Sequence, residues 1–215
     1  MSGKRGRFDR EFALLVGRIV ARSIDPLIQR LAFAGSYRRK LPDCGDIDMV
    51  IIPKPGVSQE QINAEAARLC FTGKLDSSGS GLSVGTLNPK LVDQKDPFEV
   101  PAFNLFFTTE PEWGAMLMFA TGSGKYNSAY RAIAKKRGLL CNEHGVFVRS
   151  TNDLISDSSY SEHAVCRAIG IPFLEPQYRI DKVFPSTREP RPTWCVEHIT
   201  KDFCKRARRL GENVW

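Results

Sequence analysis

Residues 46–52, Asp-Ile-Asp-Met-Val-Ile-Ile, constrain this chain more than any other stretch. Four apolar residues in a row after the second aspartate predict a strand buried in a core. On a strand, residues i and i+2 point the same way, so Asp46 and Asp48 share one face. Two carboxylates that close repel each other unless a cation sits between them. Magnesium suits that gap, because it takes one or two carboxylates together with phosphate oxygens. The simpler alternative is an exposed strand end with solvated acids, and Asp-x-Asp alone is too common to choose between the two.

The residues upstream favour the metal. Gly35-Ser36 follows the short apolar run Leu31 to Ala34 and precedes Tyr37-Arg38-Arg39. The glycine lets the chain turn and brings backbone N–H groups close to a phosphate. Ser36 adds a hydroxyl donor. Arg38 or Arg39 adds a planar fork for phosphate oxygens. Gly45, just before Asp46, leaves another N–H accessible. Phosphate donors and metal carboxylates therefore converge between Gly35 and Asp48, as a nucleoside triphosphate arriving with its metal requires.

Along the rest of the chain, Arg10 to about Ile24 reads as a helix with Phe12, Leu15 and Ile19 on its apolar face. Asp25-Pro26 predicts a short second helix to about Arg30. Ser58 to Gln61 has the form of a capping box, opening a helix to about Cys70. Residues 73–98 read as strands joined by Gly-, Ser- and Asp-rich loops. Val100 to Thr108 reads as a strand, and composition changes at Pro111 to Gly114. Met116 to Ala120 leads into a turn at Thr121 to Gly124. A helix over Lys125 to Arg137 stops at Gly138, and paired strands over 139–149 follow. A further helix runs from about Ser161 to Ile169 and ends at Gly170. Residues 181–196 are rich in proline and charge, and His198 to Leu210 reads as a basic helix. Asn127, Arg131 and Lys135, spaced i, i+4 and i+8, form one polar strip on the 125–137 helix.

A net charge of +7 favours a polyanionic partner or a well-solvated surface. No apolar run approaches the roughly 20 residues of a membrane span. The N-terminal Met-Ser-Gly-Lys-Arg-Gly-Arg is basic, but no apolar stretch follows it as in a signal peptide. The six cysteines form no Cys-x-x-Cys pair and the three histidines are scattered, which argues against structural zinc and for free thiols in an intracellular, reducing compartment.

Gly-Ser-Tyr-Arg-Arg followed by Gly-Asp-Ile-Asp resembles the nucleotidyltransferase signature in the form used by family X DNA polymerases, the group of polymerase beta and the small viral repair polymerases. Three later segments resemble the same family: Thr121 to Asn127 with Arg131-Ala132, Leu140 to Gly145, and Ala168 to Pro176. The resemblance covers roughly residues 10–180, with neither a lyase domain nor a helix-hairpin-helix clamp ahead of it, as in the small viral members. It implies an α+β fold: a nucleotidyltransferase palm with a mixed sheet and helices over residues 1–114, then a small α+β domain over 115–215. It implies template-directed addition of a deoxynucleotide to a primer 3′ end, with gapped or primer-template DNA and a deoxynucleoside triphosphate as partners. Two magnesium ions serve as cofactor, with manganese an acceptable substitute, and the chain is expected to act as a monomer.

The implied roles fall position by position. Gly35, Ser36, Arg39 and the Gly45 N–H hold the triphosphate. Asp46 and Asp48 bind both metal ions. Phe119, Ala120 and Gly122 shape the sugar pocket, Asn127 touches the incoming base, and Arg131 and Lys135 meet DNA. Asn104 stands where the family has its third metal-binding carboxylate. Asparagine keeps the shape and removes the charge, so the metal that activates the primer hydroxyl should bind poorly. The substitution reads first as a deliberate trap for nucleotide and DNA; the alternative is a natural, binding-only protein. Lys201, Lys205, Arg206, Arg208 and Arg209 are expected to supply DNA contacts, with Lys4, Arg5, Arg7 and residues 135–137 as the fallback.

Overall fold

The computed structural model describes residues 6–77 and 81–179. The expected basic helix over 198–210, with Lys201, Lys205, Arg206, Arg208 and Arg209, lies outside the described residues, as do the stretch 181–196, Lys4 and Arg5. The first half runs β1 (Phe8–Asp9), α1 (Arg10–Ile24), β2 (Ile28–Phe33), a single helical turn α2 (Gly35–Arg38), β3 (Asp43–Cys44), β4 (Asp46–Pro53) and α3 (Gln59–Ala67). Then come β5 (Asp76–Ser77), β6 (Leu82–Thr86) and β7 (Ala102–Phe107). The second half holds α4 (Trp113–Thr121), α5 (Gly124–Lys136), the hairpin β8 (Leu139–Asn142) and β9 (Gly145–Val148), and α6 (Glu162–Ile169).

Five strands form a mixed sheet in the order β2-β4-β7-β6-β5. Only β4 and β7 run parallel, and their register sets Asp46 opposite Ala102 and Asp48 opposite Asn104. Both faces of the central strands are covered, which explains why residues 49–52 are apolar without alternation. Ile47, Met49 and Ile51 pack with Phe103 and Leu105 against Val16, Val20 and Ile24 of α1 and Ile62 of α3. Val50 and Ile52 face the other way, against Trp113, Met116 and Leu117 of α4. Asp46 and Asp48 continue the parity of Val50 and Ile52, and Asn104 that of Phe106. All three polar residues therefore emerge on the α4 side, where the apolar layer ends.

The second core gathers Tyr126, Tyr130 and Ala134 of α5, Cys141 and Val146 of the hairpin, and Val165, Cys166 and Ile169 of α6. Helix α4 joins both cores, since Ala115 and Met118 pack there. Gly114 permits this closeness: a Cβ on it would sit 2.1–2.3 Å from the Ser161 backbone at the start of α6.

Several expectations need correction. The helix from Pro26 to Arg30 is only a 3-10 turn over Asp25–Leu27, because Ile28 already pairs with Pro53 in the sheet. On α1 the buried side is Ala13, Val16, Gly17, Val20 and Ile24, while Leu15 is 47% exposed. Two small residues on the inner face disguise its period. Residues 116–120, read only as leading into a turn, belong to helix α4, which starts at Trp113 and is apolar on almost every side. The capping box at Ser58 and Gln61 forms as expected, and Gly170 ends α6 in the left-handed region. Among the described residues no helix is long and apolar enough to cross a membrane.

Candidate active site

Asp46 and Asp48 stand side by side at the entry of β4, and Asn104 reaches them from β7. The Asn104 Nδ2 donates to Asp46 Oδ2 at 3.0 Å and to Asp48 Oδ1 at 2.7 Å. Burial, then the neighbouring Asp46 charge, push the Asp48 carboxyl up to about 7, against the pull of Asn104 and Arg39. A carboxylate held this way gains most from a cation. Two hard oxygen donors on one face fit one magnesium ion completed by phosphate oxygens. They fit a second ion less well, because the third group at the site, Asn104, is neutral and turns its Nδ2 toward both acids.

The cleft wall beside the carboxylates is built by α2. The Ala34 N–H donates to the Asp48 carbonyl at 2.8 Å, pinning the turn to the carboxylate strand. Gly35 has φ +55, and a Cβ on it would fall 1.8 Å from Asp48 Oδ2, so only glycine fits. Ser36 Oγ is buried without a hydrogen-bond partner, which is costly unless a ligand supplies one. The two adjacent arginines go to different places. Arg39 lines the cleft and donates to the Thr121 carbonyl. Arg38 turns away, into a bidentate pair with Glu162 at 2.8 and 2.6 Å.

Between sheet and helices lies an open cleft of about 320 Å3. Its sheet side carries Gly35, Ser36, Arg39, Gly45, Asp46 and Asp48; its helix side carries Phe119, Ala120, Gly122 and Asn127. These residues, separated by up to 92 positions in the chain, share one wall-to-wall space. Asn127 donates to the Phe119 carbonyl at 2.8 Å, and its buried Oδ1 has no partner. Arg131, one turn further along α5, pairs with Glu143 at 3.2 Å and lies 5.1 Å from the Phe119 ring centre. Lys135 is exposed on the same helix.

Arg7, Phe106 and Gly124 also line the cleft and were not among the expected site residues. Phe106 was legible in principle, since it shares the parity of Asn104. Arg7, considered above only as a fallback DNA contact, is held in the cleft wall by Asp43, through Nε at 2.6 Å and through the backbone carbonyl at 2.8 Å. That placement depends on the two-residue pairing of β1 with β3, which leaves no sequence pattern.

Glu162 marks a second polar centre. Burial pushes its carboxyl up, but Arg38 and Arg179 outweigh burial and hold it below the ordinary glutamate range. Arg179, fully buried, donates to Glu162 at 2.7 Å and to the Leu174 carbonyl at 2.8 Å. Among the described residues, no cysteine is hydrogen-bonded or ion-paired to a side chain of either carboxylate centre in the contacts above, though the charges of Glu162 and Arg179 act on Cys166. Cys44, Cys70, Cys141 and Cys166 are free and buried, and burial pushes the Cys141 and Cys166 thiols up to about 12.

Comparison with known proteins agrees with this geometry. Residues 10–79 match the DNA polymerase beta palm, and residues 116–180 match the DNA polymerase beta thumb. The α+β fold is thus a polymerase beta-type palm followed by its thumb. DNA polymerase lambda of Rattus norvegicus is 25% identical over 186 residues, a match that covers 75% of this chain and 30% of that relative. The chain belongs to family X of the DNA polymerases.

Proposed function

We propose that this chain is a DNA-directed nucleotidyltransferase that adds a deoxynucleotide to a primer 3′-OH in short gaps, and that Asn104 impairs the transfer. The observation that carries the reading is the gathering of Asp46, Asp48, Ser36 and Arg39 on one side of a single cleft whose helix side carries Asn127 of α5. In the reaction the 3′-hydroxyl gives its proton to solvent, its oxygen bonds to the α-phosphorus, the bond from that phosphorus to the bridging oxygen of the β-phosphate breaks, and pyrophosphate leaves with the negative charge. Magnesium bound with the triphosphate would screen the phosphate charge, and the ion that would lower the pKa of the attacking hydroxyl is the one Asn104 disfavours.

The chain's own residues do the rest. Asp46 and Asp48 hold the metal. Gly35, Ser36, Arg39 and the Gly45 N–H orient the triphosphate, and Arg7 adds positive charge at the same wall. Phe119, Ala120 and Gly122 border the sugar, and Asn127 touches the base of the incoming nucleotide. Arg131 and Lys135 extend the track along the template. We divide the chain into a palm over 1–114 and a DNA- and nucleotide-binding part over 115–215, acting as a monomer on gapped or primer-template DNA. Magnesium is the natural cofactor and manganese its substitute.

A second reading has a specific observation behind it. Asn104 donates to both acids, so a protein that binds DNA and nucleotide without turnover fits the same site. Extension of a one-nucleotide gap separates the two. Asn104→Asp should raise magnesium-dependent extension by orders of magnitude over the chain as it stands. Negligible extension by both proteins would favour the binding-only reading, and transfer only to RNA or to a protein hydroxyl would replace the acceptor.

A further inference from the structure

The Asn104 amide does more than lack a charge. One nitrogen donates simultaneously to Asp46 Oδ2 and Asp48 Oδ1, at 3.0 and 2.7 Å. It sits between the two acids from the β7 side, where the register places it directly opposite Asp48. A bridging cation between these oxygens would have to displace that nitrogen. Asparagine also carries no ionised oxygen with which to repay such a displacement. The opposite side of the carboxylate pair, toward the cleft, is open and faces Ser36 and Arg39.

We propose that the Asn104 amide is a built-in substitute for a second cation, so that this site binds a triphosphate with one divalent ion instead of two. The proposal rests on the nucleotide-site reading above and sharpens it. The one ion enters from the cleft with the triphosphate, held by the carboxylate oxygens on that side. The amide hydrogens neutralise part of the repulsion on the other side, where they are fixed by the fold and need no ligand. The site is therefore assembled in the absence of metal, and it commits to a metal–triphosphate complex while leaving a primer hydroxyl without its own ion.

The test counts ions directly. Full-length protein, gapped DNA with an ordinary 3′-OH and a non-hydrolysable α,β-imido deoxynucleoside triphosphate are titrated with Mn2+, and bound ions are counted from the loss of the free Mn2+ electron paramagnetic resonance signal. One ion per chain is expected, against two for Asn104→Asp. Two ions in both proteins, or one in both, would overturn the substitution. No triphosphate-dependent ion in either protein would overturn the nucleotide-site reading itself, which distinguishes the two failures. A second readout needs no DNA and no turnover. In chelator, Asn104→Asp should melt lower than the unaltered chain, by roughly 2–4 °C or more, because three carboxylates then crowd one space. Mn2+ should restore that loss in the variant and shift the unaltered chain less. Equal melting of the two proteins in chelator would contradict the bridging role.

Discussion

Two carboxylate centres lie about the same helix–sheet junction, and they are built on opposite principles. At Glu162 the negative charge is matched inside the protein. Arg38 grips both carboxylate oxygens, Arg179 adds a third donor, and Thr121 accepts from Arg38 at 2.7 Å. At Asp46 and Asp48 two acids meet one neutral amide, and Arg39, whose charge lowers Asp48 without offsetting its burial, also donates to the Thr121 carbonyl. The first centre has a depressed carboxyl and the second a raised one. At the first centre two guanidiniums surround one carboxylate and tie the turn α2 to α6, with one buried nitrogen of Arg179 left without a hydrogen-bond partner. The unmatched second centre stays in an open cleft because a ligand is meant to complete it. Adjacent arginines in the sequence serve one centre each.

The comparison is broken most severely at Glu162. Glu162→Ala strands Arg38 and the fully buried Arg179 without an anion, so stability should fall by about 3–5 kcal/mol, the usual cost of removing one partner of a buried pair. Urea denaturation measures it, and a loss below about 1 kcal/mol would make this centre ornamental. Arg39→Ala should behave in the contrary way. Triphosphate affinity should drop by about 1.5–3 kcal/mol, the scale of a charged hydrogen bond, with the urea midpoint little changed. Unaltered affinity would remove Arg39 from the phosphate site.

Acid sharpens the contrast at smaller amplitude. The folded Glu162 pKa lies below its unfolded value, so its contribution is complete above the ordinary glutamate range, near pH 4.3, and is lost as pH falls through the lowered value. The stability gap between the unaltered chain and Glu162→Gln should therefore narrow below about pH 4. A gap that stays constant from pH 7 to pH 3 would show that the ion pair is not its source. Lys135→Ala should give the smallest effect: a slope of log affinity against log salt shallower by roughly 0.9 on duplex DNA, read from binding across salt concentrations. An identical slope would leave Lys135 as a solvated surface group.

Much of the cleft was legible from residue parity. Asp46, Asp48, Val50 and Ile52 share a face by strand geometry alone, and Gly35 was readable as a turn beside it. Helical spacing put Asn127 and Arg131 on one polar strip, while a role in the site came only from the family resemblance. Less legible were features made by distant parts of the chain. Arg38 and Glu162 are 124 residues apart, and nothing local marks their pairing. Arg7 enters the cleft only because β1 pairs with β3. The start of α4 was obscured because a helix buried on nearly all sides has no polar stripe to set its phase. The segment Ile28 to Arg30 follows a proline that favours a helix start, yet pairing with β4 outweighed that local preference.

Binding of a magnesium–deoxynucleoside triphosphate to the unaltered chain and to Asp46→Ala and Asp48→Ala, with urea stability measured on the same samples, tests the unmatched centre most directly. Saturable, magnesium-dependent binding should appear in the unaltered chain and vanish in both variants. Their stability should match or exceed that of the unaltered chain, since each removes one of two crowded acids. Retained binding, or a loss of stability as large as that of Glu162→Ala, would show that these carboxylates serve the fold and that the cleft is not built around a metal–triphosphate complex.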